Sequence, residues 1–599
     1  MFDVLVIGAG HAGVEAAAAA AQRGAKTGLL SFSKANAGQM SCNPSIGGVG
    51  KGHLVRELDV FEGLLAKTSD QAAIHYRMLN RSKGPAVQGP RIQADRSLFQ
   101  TATQAALQQL PIEWLIDEAL ELDIEGDTVV GVITGTGSRI AARSVVVATG
   151  TFLGGKIFRG HDRVEGGRVE EKAATRLGEQ FADLGLAHGR LKTGTPPRLD
   201  GRTIDWASLT PQPTDGQNWR FSAFSRSARR PQLDCAITRT NPRTHEVIGN
   251  HADRSPLYAG SIDGRGPRYC PSIEDKVKRF SDREGHQIFL EPEGLTTRLV
   301  YPAGISTSLP LDAQQEMMAT IRGLESVEIV QPGYAVEYVF ADPRRLDSRL
   351  CLKDIDGLFM AGQINGTTGY EEAAAQGLVA GINAAAHAAG KDPTLFGRQT
   401  SYIGVMIDDL IVHGVNEPYR MMTARAEYRL HLRADNAIAR LGVQAKASGV
   451  SAAHATAIDR YMERKAAYMT SFEEKVDAKE LGLQGGQKSL KEWISRPEAV
   501  TAVRDRFGDD DAAAEAISDI LYAPYLERQE REWNTMQKDA SITVPADFDY
   551  TAVAGLSTEM IERISAVRPD NLDQASRIPG ITPAALSALH FALSRRDAA

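Results

Sequence analysis

Residues 2–13 read Phe-Asp-Val-Leu-Val-Ile-Gly-Ala-Gly-His-Ala-Gly, and this stretch narrows the fold more than any other. The apolar run Val4 to Ile7 is short and reads as a buried strand. It enters Gly8-x-Gly10-x-x-Gly13, and an alanine-rich segment from Val14 to Gln22 follows, which reads as a helix. A glycine turn between strand and helix is the context that a dinucleotide fingerprint requires. The first glycine permits the tight turn, the second lets backbone approach a pyrophosphate, and the third lets helix and strand lie close. The helix N-terminus adds free N–H groups and a partial positive charge. An FAD or NAD(P) site is therefore expected on Gly8, Ala9, Gly10, His11, Ala12 and Gly13. An acidic residue about 20 positions on usually holds the ribose. Here the second strand, Lys26 to Leu30, ends in Ser31-Phe32-Ser33-Lys34. Any ribose contact must come from a hydroxyl or from backbone, which counts against a plain NAD dehydrogenase.

A chain of 599 residues has room for several domains. Its 42% hydrophobic and 24% charged residues describe a globular protein. Met1 leads directly into the first strand and the apolar runs are short, so neither a signal peptide nor a membrane span is expected. Cys42, Cys235, Cys270 and Cys351 show no paired or zinc-like spacing, so no metal site is expected, and reduced thiols point to the cytoplasm. A net charge of -7 argues against indiscriminate nucleic-acid binding but leaves room for a local basic surface.

Two later segments extend the pattern. Ser144 to Gly150 reads as a second buried strand ending in a glycine turn. Gly357 to Gly366 is another, leading into a small-residue helix that reaches Ala388. Three such segments in this order favour FAD as the tightly held cofactor. The last lies beyond residue 350, so the FAD domain must be discontinuous. The expected fold is α/β: a Rossmann-like FAD-binding domain in two parts, 1–199 and 300–400, an inserted α+β domain at 200–299, to which the family resemblance given below assigns NAD(H) binding, and an all-α C-terminal domain at 401–599. The loop Gly47 to Gly52 does not fit a phosphate-binding GxxxxGK[ST] loop, because Gly52 takes the place of the hydroxyl residue, so the chain is not expected to be an NTPase.

Within the insert, Arg220, Arg226, Arg229, Arg230, Arg239, Arg243, Arg254, Arg265 and Arg268 alternate with Trp219, Phe221 and Phe224. This reads either as a ligand-binding basic face or as a solvated surface. Past residue 400, Tyr419 to Leu441 contains neither Gly nor Pro and reads as a helix. Arg425, Arg429 and Arg433 would share one face and could track RNA phosphates, or pair internally with Glu427 or Asp435. Ile458, Tyr461, Met462, Met469, Phe472 and Val476 mark a second amphipathic helix. In the tail, Leu556 to Leu593, Ile578-Pro-Gly-Ile581 reads as a turn between helices.

Several blocks are more specific. They are Gly38-Gln-Met-Ser-Cys-Asn-Pro-Ser-Ile-Gly-Gly-Val-Gly-Lys-Gly-His53, Ser82 to Val87, Gly189-Arg-Leu-Lys-Thr-Gly-Thr-Pro-Pro-Arg198, Gly266 to Lys276, His286-Gln-Ile-Phe-Leu-Glu-Pro-Glu-Gly294, Gly362 to Gly377 and Ala575 to Ala584. In this order, over nearly the whole chain, they resemble the MnmG (GidA) family of FAD-dependent tRNA uridine 5-carboxymethylaminomethyl modification enzymes. One departure is Gln88, where some relatives carry arginine. The resemblance implies FAD contacts at Leu120, Gly362 and Gln363 as well as on the glycine turn. It implies NADH binding by Asp253, Gly266, Pro267, Arg268, Tyr269, Asp275, Lys276 and Phe280. It further implies methylenetetrahydrofolate as one-carbon donor, a tRNA substrate, a homodimer within a heterotetramer, and the GTPase MnmE as partner of the C-terminal helices.

The resemblance also makes Cys42 and Cys270 the functional thiols. Uridine C5 is a poor nucleophile, and a thiolate that adds to C6 turns C5 into an enolate-like carbon. A thiolate needs a nearby cation or helix N-terminus. Lys51 and His53 follow Cys42, while Arg268 and Lys276 flank Cys270. The plain alternative is that both are buried structural thiols, the role expected for Cys235 and Cys351. Two rival functions are a folate- and FAD-dependent tRNA uridine-5-methyltransferase of the TrmFO kind, which lacks a long helical C-terminus, and a non-catalytic flavin-bearing scaffold for a GTPase.

Overall fold

The computed structural model describes residues 1–599 except 169–172, 217–218, 226, 257, 259–263, 265, 267–270, 541, 546 and 597–599; for 530–540 and 595–596 only the backbone is described. The strand Phe2–Ile7 lies at the centre of a seven-stranded sheet. Thr27–Ser31 pairs with it in parallel on one side, and Ile112–Ile116 continues outward. Arg139–Val147 pairs in parallel on the other side and carries Leu358–Met360 beyond it. Thr128–Thr134 and Ala119–Glu125 form an antiparallel arm from the start of the 139–147 strand. Val4, Leu5 and Val6 are fully buried, as a parallel strand covered on both faces requires.

One covering layer is a helix pair, His11–Gln22 against Tyr370–Ala388. Their backbones touch. A Cβ at Gly377 would lie 2.1 Å from the Ala12 carbonyl oxygen, and one at Gly381 would lie 2.3 Å from that of Ala16. The alanine and glycine content of both helices is thus a packing requirement.

The insert is an antiparallel sheet ordered 210–212, 235–239, 287–292, 299–303, 198–200, 329–331. The helices Pro242–Asn250, Ile273–Arg279 and Leu311–Ala319 accompany it. Its separate core includes Leu199, Ile248, Ile273, Leu290 and Met317. The expected border at 299/300 falls inside the strand Leu299–Ala303, which pairs with Gln287–Pro292, and the insert sheet runs on to Gln331. A four-stranded sheet containing Ala187–Thr195 and Tyr334–Ala341 joins it to the first unit.

The C-terminal region is helical, with one small hairpin, Lys475–Asp477 against Gln487–Ser489. The expected helix over 419–441 does not form. The chain there is irregular, with a single turn at Thr423–Arg425, and the helix begins at Ala437. Tertiary contacts override local propensity: Arg398 donates to the Arg425 carbonyl, and Arg425 stacks over the Tyr419 ring at 4.1 Å. The second amphipathic helix spans Ala452–Ser471 and buries Ile458 and Tyr461, but Met462 and Met469 face solvent and Val476 lies in the hairpin. In the tail, the 578–581 turn separates Leu572–Arg577 from Pro583–Arg596, as expected. Among the described residues no helix is long and apolar enough to cross a membrane.

Candidate functional site

A cleft of about 310 Å³ opens at the carboxyl ends of the parallel strands, where Ile7, Ser31, Ala148 and Ala361 line it. This is where open α/β sheets bind ligands. The three fingerprint glycines divide the work. A Cβ on Gly8 would sit 2.4 Å from the Ala148 carbonyl oxygen, and one on Gly13 would sit 1.7 Å from that of Gly8. A Cβ on Gly10 would meet nothing within 4 Å. The outer two therefore close the strand–helix junction, while the middle one faces the open cleft beside a helix start with no side-chain cap. His11 lines the cleft with its ring 4.4 Å from that of Tyr370. Burial pushes its pKa down to about 4, and its Nε2 has no hydrogen-bond partner.

No carboxylate follows the second strand, and Ser31, Phe32 and Asn36 line the cleft there. Asp117, missed in the sequence, reaches the same wall from the turn after Ile112–Ile116. Its oxygens already accept the Glu118 and Thr136 N–H groups and the Thr136 hydroxyl. Ala119 lines the cleft, whereas its neighbour Leu120, the expected FAD contact, does not. Gln363 lines it, whereas Gly362 packs behind, where a Cβ would be 2.9 Å from the Ala12 Cβ.

Cys42 lies on the cleft wall, half-buried. Its N–H donates to Tyr370 Oη (2.6 Å), its carbonyl accepts from Arg198 Nη2 (2.6 Å), and its Sγ lies 3.4 Å from Tyr301 Oη. The two residues expected to act on it have other surroundings: Lys51 lines the same cleft but is engaged by carboxylates, and His53 is in the core. Lys51 is buried in a pair with Glu371 (2.9 Å) and Glu372 (2.7 Å). His53 is fully buried, burial pushes its pKa down to about 3, and neither ring nitrogen has a partner. The cation on the Cys42 carbonyl is Arg198, at the end of the quoted Gly189 block. Burial works against its charge, but Glu293, Tyr301 and Cys42 outweigh this and raise its pKa. Lys51 also joins two segments to the second covering helix. Glu371 accepts the Gly47 N–H at 2.6 Å, and Glu372 accepts the Met421 N–H at 2.9 Å. Burial works against the Glu371 carboxylate, but Lys51 outweighs it and lowers the pKa.

The sequence and the architecture both match known proteins. The family model "Glucose inhibited division protein A" matches residues 3–392, and "tRNA modifying enzyme MnmG/GidA C-terminal helical bundle" matches 532–599. The chain belongs to the GidA family. It is 53% identical, over 98% of its length and 97% of the relative's, to the tRNA uridine 5-carboxymethylaminomethyl modification enzyme MnmG of Zymomonas mobilis. It superposes on two crystal forms of Aquifex aeolicus GidA with a TM-score of 0.91 at 42% identity, covering 99% of this chain and 98% and 100% of those.

Of the residues that resemblance to the GidA family assigns to NADH, Pro267, Arg268 and Tyr269 lie outside the described residues, as do Cys270, Arg226 and Arg265. Asp275 and Lys276 sit on the short helix Ile273–Arg279, and Lys276 Nζ donates to the Gly304 carbonyl at 2.6 Å. Phe280 follows, 43% exposed, and Asp253 is exposed on a turn. Gly266 lies against Lys192, a buried lysine whose pKa burial lowers against the pull of Glu274 and Asp275. The aromatic residues between the arginines are core, not a ligand face. Trp219 and Phe221 are buried, with Trp219 edge-on to Tyr76, and Arg229 covers that ring at 4.2 Å.

The basic stripe expected for RNA does not exist as a helical face. Arg433 is fully buried between Asp435 (2.8 Å) and Asp519 (2.5 Å). Arg425 stacks on Tyr419 and lies 3.5 Å from Asp409. Arg429 alone of the three is exposed. Arg420, which the sequence reading passed over, lines the cleft. Cys235 and Cys351 are buried, and burial raises both thiols, Cys351 to about 12.

Proposed function

We propose that this chain is an FAD-dependent enzyme that modifies C5 of the wobble uridine of certain tRNAs. The observation that carries this reading is the placement of Cys42 on the wall of the glycine cleft, held by Arg198 and Tyr370. The identity of 53% with a relative named for uridine 5-carboxymethylaminomethylation supports the same reaction here. FAD fits the residues present. The open space at Gly10, the uncapped helix start and the unpartnered His11 Nε2 supply room and polar atoms for a dinucleotide. When bound, FAD supplies the redox chemistry for moving a one-carbon unit from methylenetetrahydrofolate.

The chain's own residues would do the rest. Backbone N–H groups at His11 and Ala12 hold the pyrophosphate. The Tyr370–Ala388 helix turns its positive end toward the cleft. Cys42 Sγ, oriented by Tyr301 Oη, adds to uridine C6; the new C–S bond places the electron pair on C5, which attacks the one-carbon electrophile. Loss of the C5 proton and expulsion of the thiolate then restore the pyrimidine, and glycine or ammonium would bond to the methylene carbon as the carrier leaves with the electron pair of its broken bond, giving the carboxymethylaminomethyl or aminomethyl group. Cys270 is the second candidate for this role. The insert, through Asp253, Gly266, Asp275, Lys276 and Phe280 with their neighbours 267–269, would bind NADH to reduce the flavin. The helices of 401–599 would dock MnmE within a heterotetramer built on a homodimer, in the cytoplasm. The test is a covalent adduct with 5-fluorouridine tRNA, formed by the wild type and lost in Cys42→Ser or Cys270→Ser. An adduct that survives both variants overturns the thiol mechanism. Nucleoside analysis of tRNA from a deletion strain separates this product from a 5-methyluridine.

A further inference from the structure

We infer that Glu293 is a positioning residue for the Cys42 thiol, holding its loop through Arg96 and Arg198. The inference rests on the reading of Cys42 as a nucleophile. Glu293 belongs to the insert, and its side chain is 2% exposed. Oε2 takes Arg96 Nη1 at 2.6 Å and Oε1 takes Arg198 Nε at 2.8 Å. Each arginine spends another donor on the thiol loop: Arg96 Nη2 on the Met40 carbonyl (2.5 Å) and Arg198 Nη2 on the Cys42 carbonyl (2.6 Å). One carboxylate therefore orients the two guanidinium groups that fix the backbone on both sides of Ser41. Arg198 also lies 4.8 Å from the centre of the Tyr301 ring, whose hydroxyl meets Sγ.

A buried arginine–carboxylate–arginine group is a poor device for stability alone, because desolvation offsets much of its attraction and apolar packing would serve as well. Its planar guanidinium groups, each giving one charge-assisted hydrogen bond to a different carboxylate oxygen, do set direction. The neighbouring Glu291 provides a comparison. It also bridges the insert to the first unit, through Arg91 (2.7 Å) and Gln93 (2.9 Å), yet nothing it holds reaches the Met40 or Cys42 carbonyl.

The experiment follows alkylation of Cys42 by iodoacetamide against pH in the full, flavin-loaded chain, resolved by peptide mass spectrometry, together with adduct yield on 5-fluorouridine tRNA. Glu293→Gln leaves two cations without their carboxylate, so the midpoint of the Cys42 profile moves to lower pH. The loop loses its direction, so adduct formation falls about tenfold or more. A thiol that is more reactive toward a small reagent yet less productive on RNA is the expected signature, and Glu293→Asp restores the midpoint. Glu291→Gln moves neither. Should Glu293→Gln not fold, Arg96→Gln frees the Met40 carbonyl and one Glu293 oxygen while Arg198 still holds Cys42, and it is expected to lower the adduct yield. A Glu293→Gln profile and yield equal to those of Glu291→Gln overturn the inference. If Cys42→Ser keeps the adduct, the nucleophile assignment fails, while the alkylation midpoint still reports on the clamp.

Discussion

Gly13 faces the Gly8 carbonyl so closely that a methyl carbon on it would lie 1.7 Å from that oxygen. Gly10, three residues earlier, has nothing within 4 Å. Alanine should therefore act oppositely at the two positions. Gly13→Ala is expected to lower stability by about 3 kcal/mol, as overpacking does. Gly10→Ala is expected to fold within about 1 kcal/mol of the wild type, the ordinary cost of alanine at a helix cap, and to lose bound flavin. Thermal melting and visible absorbance separate the two outcomes.

Lys51→Met leaves Glu371 and Glu372 buried without their cation. The expected loss is about 3–5 kcal/mol at neutral pH, read from denaturant midpoints. Glu371 has a folded pKa below its ordinary 4.5. Its contribution is therefore present above that value and disappears as pH falls through the folded one. The penalty of Lys51→Met should shrink in acid, and a penalty independent of pH would contradict the pairing.

Glu15 carries the reverse sign. It accepts the Leu64 and Leu65 N–H groups at the start of a helix, and burial pushes its pKa up to about 7 from 4.5. A raised carboxylate favours folding below pH 4.5, and that contribution is lost as pH rises through 7. Glu15→Gln stays neutral throughout. Stability of the wild type relative to the variant should decline by about 1.4 kcal/mol per pH unit across this window. Parallel curves would mean that the carboxyl titrates normally.

Arg433 and Arg429 should divide stability from RNA binding. Arg433→Met breaks a pair with two part-exposed carboxylates and should cost about 2 kcal/mol. Arg429→Ala should change stability by less than about 0.5 kcal/mol. If tRNA phosphates pass this surface, it should also reduce the salt slope of tRNA binding by about 1. Melting curves and filter binding at several salt concentrations check both.

The dinucleotide fold was legible because its signals are local. Val4 to Ile7, the glycine spacing and the alanine helix each report a backbone requirement within a few residues. The helix read over 419–441 does not form because Arg398 and Asp519, which lie outside the segment, help decide where that backbone goes. For the same reason the sequence points to nearby Lys51 and His53 beside Cys42, while the cation on its carbonyl is Arg198, 156 residues away. The insert was recognised by composition, which marks a change of character but not the strand pairing that carries its sheet to Gln331.

The strand Leu358–Met360 completes a sheet whose other parallel members end at Val147. During synthesis, roughly 200 residues separate the two, about 10–40 s of translation at about 5–20 residues per second. Until then the growing chain presents an unfinished β edge at Val145 to Val147. The order in which the ribosome releases this polypeptide thus makes the insert sheet available for folding before the nucleotide fold that surrounds it can close.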